Sequence, residues 1–217
     1  MSTAIKRLPG VLALVLALLP DAAFGAEPGP APPPSNVEHF QYGVALVLET
    51  ALSAGDVCPA GAPTPCILGS GGGLGLRAGY RSRDPWYIGG AYEFSRQDSS
   101  NLIRLAILQQ LRFEVRYYLD RGMRTTPFAV AGLGGMLYGG EWSASTAGGV
   151  MTVGAGVEYQ VSATTVIGCA PMYRLLVPHS WTDSAGQLRA DNVLGFGFAH
   201  FFGFELILEV REPLARW

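Results

Sequence analysis

Sixteen consecutive residues, RLAILQQLRFEVRYYL from Arg104 to Leu119, constrain this chain more than any other stretch. Read alternately, they place Leu105, Ile107, Gln109, Leu111, Phe113, Val115, Tyr117 and Leu119 on one face. The other face carries Arg104, Ala106, Leu108, Gln110, Arg112, Glu114, Arg116 and Tyr118. A period of two is the signature of a strand. A helix would spread Arg112, Glu114 and Arg116 over two sides and leave no continuous apolar stripe. The stretch is long for a half-buried strand in a soluble sheet, whereas a strand crossing a bilayer fits the same letters.

Composition narrows the choice. Of 217 residues, 49% are hydrophobic and only 15% charged, against about a quarter charged in an ordinary soluble domain. Outside the N-terminus no apolar run is long enough for a membrane-spanning helix, which excludes a multi-span helical protein and leaves a closed barrel as the membrane option. Residues 1–25 read as a secretory signal peptide: Lys6 and Arg7, an apolar run from Val11 to Leu19, and Ala23-Phe24-Gly25 before the cut. Residues 26–37, rich in proline, read as an extended periplasmic tether. After the signal, 13 basic and 16 acidic residues remain, and every base is an arginine, since Lys6 is the only lysine. No basic patch for nucleic acid is present.

From residue 38 to 217 the sequence alternates in eight segments: His39–Leu52, Gly71–Ser82, Trp86–Ser95, Arg104–Leu119, Phe128–Gly140, Gly149–Val161, Thr165–Val177 and Val193–Val210. Glycines 132, 134 and 135 blur the fifth, where a bulge is expected. Pro171 removes a ladder donor from the seventh and calls for a bulge or an unpaired position. Connections are long after the first and seventh segments, intermediate after the third and fifth, and tight after the second, fourth and sixth. Such alternation belongs to an up-and-down barrel with short turns at one rim and longer loops at the other. Aromatic residues then fall into two girdles. Phe40, Tyr42, Tyr80, Trp86, Tyr117, Phe128 and Tyr159 lie towards the short turns, and Tyr92, Phe94, Tyr138, Trp142, Tyr173 and Phe196 towards the long loops. The expected fold is all-β, an eight-stranded antiparallel up-and-down transmembrane β-barrel.

With its signal peptide, eight alternating strands, tight turns and terminal Trp217, the chain resembles the small outer-membrane β-barrels typified by the OmpA barrel domain and OmpX. That resemblance is architectural and covers roughly Glu38 to Trp217. It implies residence in the bacterial outer membrane, contact with outer-membrane lipids and lipopolysaccharide, and insertion by the barrel-assembly machinery. Glu212-Pro213 interrupts the last alternation before Trp217, which makes Phe204, Leu206 and Leu208 alternative carriers of the assembly signal.

The charged face is the most specific feature. Alternation puts Glu49, Glu93, Glu114, Glu158 and Glu205 on the same side as Arg77, Arg81, Arg112, Arg116 and Arg174. Eight strands enclose a lumen that side chains just fill, and an unpaired charge buried there costs several kcal/mol. A plugged, arginine–glutamate cross-linked lumen is therefore expected, with a structural or surface-interaction role and no catalysis. The alternatives are a narrow ion-conducting barrel, a lipid A-modifying enzyme using His179, Ser180 and Asp183, and a soluble lipocalin-like binder. Adjacent His179 and Ser180 would point opposite ways in a strand, which speaks against the enzyme. Eight large residues on the last strand alone would overfill the small lumen of an inverted, soluble barrel. Cys58 and Cys66 bracket CPAGAPTPC in the first long loop and are expected to form a disulfide in an exported chain, leaving Cys169 as a small hydrophobe on the lipid side. No cofactor is expected, and no metal or nucleophilic constellation is visible.

Overall fold

The computed structural model describes residues 37–58, 68–98, 105–119, 124–183, 186–189 and 194–214. The expected signal peptide, nearly all of the tether, Cys66 and Trp217 lie outside them. Eight long strands close into a barrel: β1 (His39–Ser53), β2 (Gly71–Arg81), β3 (Trp86–Gln97), β4 (Ala106–Tyr118), β5 (Thr125–Gly139), β6 (Ala144–Gln160), β7 (Thr165–Pro178) and β10 (Ala199–Pro213). Each pairs antiparallel with its sequence neighbours, and β10 pairs with β1 to remove both edges. Between β7 and β10 the chain makes a two-stranded ribbon, β8 (Trp181–Thr182) and β9 (Leu188–Arg189).

The closed ladder follows from the alternation. On β4 the even positions from Ala106 to Tyr118 are buried, while Leu111, Phe113 and Tyr117 on the odd face are exposed. The same division runs around the barrel, and Val44, Leu46, Leu74, Leu76, Ile88, Leu133, Val153 and Leu208 stand on its outer surface. Such a surface is stable only against lipid. Gln109, the polar exception on that face, has its Oε1 accepting a hydrogen bond from Tyr92 Oη at 2.9 Å.

Four details differ from the alternation read directly. The ladder runs unbroken through Gly132, Gly134 and Gly135, and the irregularity lies instead at Tyr138/Gly139. The β5–β6 connection is a tight turn closed by Gly140 N–H donating to Ser143 O, so these two strands form a long hairpin. Phe128 and Tyr138 are buried in the lumen rather than set in the girdles: both occupy even, inward positions of β5, and position outweighs residue type. The last strand starts at Ala199, and Gly195 before it takes φ +69, outside extended backbone, although Phe196 and Phe198 still face outward; the expected start, Val193, lies outside the described residues. At Pro171, the β6–β7 ladder has no pairs between Gly154↔Met172 and Val157↔Cys169. The missing donor is met by a gap and not a bulge.

Candidate functional site: the charge-filled lumen

Charged residues projecting inward from alternate positions meet in stacked tiers. In the tier nearer the long loops, Arg174 Nη1 donates to Glu49 Oε2 at 2.8 Å and Nη2 to Glu205 Oε1 at 2.7 Å, and Arg174 also pairs with Glu93. Arg112 reaches Glu93 at 2.8 Å and Glu205 at 3.3 Å. Arg77 binds the other oxygen of Glu205. Neutral groups complete the shell: Ser95 Oγ and Gln97 Nε2 donate to Glu49, and Gln110 Oε1 accepts from Arg112 at 3.2 Å.

Below it, Glu114 lies 3.9 Å from both the Arg77 and Arg116 Nε atoms. The tier nearer the short turns is organised by Glu158 and Glu209. Arg116 donates to Glu209 Oε1 at 3.0 Å and to Glu158 Oε1 at 3.3 Å. Tyr118 Oη donates to Glu158 Oε1 at 2.7 Å, Arg211 pairs with Glu158, and Gln41 Nε2 donates to Glu209. Arg81 lies 3.8 Å from Glu158, with its guanidinium 3.7 Å from the centroid of the Tyr118 ring. Arg116 in turn sits 4.8 Å from the Tyr87 ring centroid. Such stacking suits arginine, whose planar, weakly hydrated guanidinium packs on aromatic faces as lysine does not.

All ten charges expected in the lumen are thus buried and joined in one network. Glu209 and Arg211 belong to it too, and both are recoverable from parity, because they continue the 205, 207, 209, 211 face of β10. With them, six glutamates face six arginines in these tiers, so balance is kept. The pairs do not explain why the barrel is stable, since desolvation of buried ions cancels most of their attraction. Their effect is to fill the cross-section with rigid side chains.

Towards the long loops the lumen turns apolar. Leu108, Met136, Tyr138, Val150, Leu176 and Phe201 form a cluster covered by Val57 and Leu68 from the first loop. Val57 sits in a short 3-10 turn, Gly55–Val57. Arg189 of β9, fully buried, bonds Asp183 Oδ2 at 2.8 Å and reaches Val57 O at 3.4 Å, tying the last loop to the first. This inward fold of the loops has no alternation to announce it.

The His179, Ser180 and Asp183 set is not drawn into one triad. The His179 ring packs on Phe196 at 4.9 Å, Ser180 N–H donates to Gly195 O, and Asp183 holds Arg189. Among the described residues, no group of three or more His, Cys, Asp or Glu side chains is arranged to hold a metal. Cys169 is a free thiol, half-buried on β7. Cys58 packs against the apolar cluster, while its expected partner Cys66 lies outside the described residues.

No protein-family model matches the sequence, and no curated protein does. Solved structures do. The outer membrane protein OprG from Pseudomonas aeruginosa is matched at 13% identity and a TM-score of 0.52, over 82% of this chain and 97% of its own. The outer membrane protein AlkL is matched at 14% identity and 0.50, over 89% and 97%. Neisserial surface protein A is matched at 19% identity and 0.48, over 82% and 97%. With its apolar exterior, polar-filled lumen and closed meander of eight strands, the chain has the fold of the small eight-stranded β-barrels of the bacterial outer membrane.

Proposed function

We propose that this protein is an outer-membrane barrel with a closed lumen, acting through its external surface as a structural or interaction protein and not as a catalyst. The observation that carries this reading is the cross-section itself. Arg112, Arg116 and Arg174 are at most 2% exposed, and each is bonded to glutamates on other strands. A path wide enough for solutes would leave such side chains wet. Above them the apolar cluster and its Val57 cover close the outer half. The loops, the lipid-facing belt and its aromatic rims are then the surfaces left for function, towards outer-membrane lipids, lipopolysaccharide and the barrel-assembly machinery. Planar-bilayer recording on refolded protein tests the reading. No stable conductance is expected, and a large, persistent one overturns it.

A further inference from the structure

At the long-loop rim, a groove of about 310 Å³ opens on the outside of the barrel between β4 and the β5–β6 turn. It forms where the pairing shifts at Tyr138/Gly139. Its apolar part is made by Ile107 and Leu137, continuous with the lipid-facing Leu111 and Leu133 below. Its outer part carries the Gln109 amide, the Glu141 carboxylate, the Ser143 hydroxyl and the Trp142 indole. Gln109 Oε1 accepts from Tyr92 Oη, and Nε2 supplies the amide's two donors.

Trp142 is 94% exposed, far more than any other large apolar side chain described. It extends a flat ring face at the end of a hairpin instead of packing against the wall. A groove that is greasy below, with a donor, two acceptors and an aromatic plate above, matches one kind of amphiphile. The plate suits the C–H face of a sugar ring, the polar groups its hydroxyls or amides, and the apolar floor an acyl chain. Among the described residues lining the groove none is a cation. Arg96, exposed and paired opposite Ile107, flanks the groove.

We infer that this groove binds the saccharide headgroup of an outer-leaflet glycolipid, whose acyl chains continue down the lipid-facing belt. The inference rests on the outer-membrane reading above, with the long-loop rim facing outward. The groove is continuous with the lipid belt, so the occupant is a membrane lipid and not a soluble glycan.

The test is native mass spectrometry of the full chain released from nanodiscs of phosphatidylglycerol doped with lipooligosaccharide. The wild-type protein is expected to retain one lipooligosaccharide molecule. Gln109→Leu combined with Trp142→Ala is expected to lower retention by roughly tenfold. Trp142→Phe, which keeps an aromatic plate, should stay close to wild type. Trp86 stacks on Tyr117 at the opposite rim, and Trp86→Ala should retain the lipid in full. Equal losses from Trp86→Ala and the double variant would reduce Trp142 to a general membrane anchor and overturn the site. Retention of phosphatidylglycerol as strong as that of the glycolipid would overturn it too, as would equally tight binding of the delipidated core oligosaccharide. Heat-modifiable gel migration shows that each variant is folded. Bilayer recording on the same preparations keeps failure of the groove separate from failure of the closed-lumen reading.

Discussion

Arg174 on β7 and Glu93 on β3 stand diametrically opposite, four steps apart in either direction around the barrel, and their side chains form an ion pair. Arg116 on β4 meets Glu209 on β10 across an equal separation at 3.0 Å. Each pair reaches across the full width of the lumen. The glutamates at these junctions are unequal in importance.

Glu205 is the acceptor for Arg77, Arg112 and Arg174 together. Glu205→Ala leaves three buried guanidinium groups short of a partner, and a loss of about 3–5 kcal/mol in folding stability is expected. Glu114 makes only 3.9 Å contacts to Arg77 and Arg116, each of which has nearer acids. Glu114→Ala should therefore cost less, roughly 1–2 kcal/mol. Urea titration of both variants in lipid vesicles measures the order, and a reversed ranking would show that the network is organised around β4 and not β10.

Gly134 and Gly135 are neighbours in β5 with opposite demands. A Cβ on Gly134 would lie 1.9 Å from Leu111 O, a backbone atom that cannot step aside. On Gly135, which faces outward, it would meet only Gly148 O at 3.7 Å. Gly134→Ala should abolish most heat-modifiable, folded barrel, while Gly135→Ala should stay within about 0.5 kcal/mol of wild type. Equal tolerance would mean that β4 and β5 can separate at this point.

Parity along each strand is strong enough to read most of the architecture from sequence. The inward placement of Arg112, Glu114 and Arg116 on β4, and of Arg174 on β7, follows from counting by two. Residue type is the weaker signal: Phe128 and Tyr138 are aromatic, yet the count places them inward. Glu209 is legible by the same rule, since it lies four residues beyond Glu205 on the same face of β10. Neither the burial of Val57 nor the Arg189–Asp183 clasp was legible, because both depend on loops folding back over the lumen and a loop has no period.

The hydrogen bond from Tyr92 Oη to Gln109 Oε1 lies on the lipid face. Removing the donor alone takes from Gln109 Oε1 its Tyr92 partner. Tyr92→Phe should lower stability by roughly 0.6–1.5 kcal/mol, whereas Gln109→Leu should be neutral or stabilising. Unfolding titrations of the two single variants and the double variant form a cycle, and zero coupling would show that the pair is solvated by headgroups.

The first long loop is expected to be pinned by a Cys58–Cys66 disulfide. Alkylation of the unreduced, denatured protein should then label one thiol per chain, at Cys169, and reduction should expose two more. Labelling of three thiols before reduction would show that the loop is held over the apolar cluster by packing and the Arg189 clasp alone.

The acids of β10 give closure an electrostatic direction. Across β1 to β7 the inward face carries Arg77, Arg81, Arg112, Arg116 and Arg174 against Glu49, Glu93, Glu114 and Glu158, an excess of one positive charge. The final strand brings Glu205 and Glu209 with Arg211, and so the opposite excess. Without β10, the inward face of the other seven barrel strands would be one positive charge out of balance. The strand that closes the barrel by pairing with β1 and β7 is therefore also the one whose acids bind Arg77, Arg112, Arg116 and Arg174, so the seam and the balance of buried charge depend on the same fifteen residues.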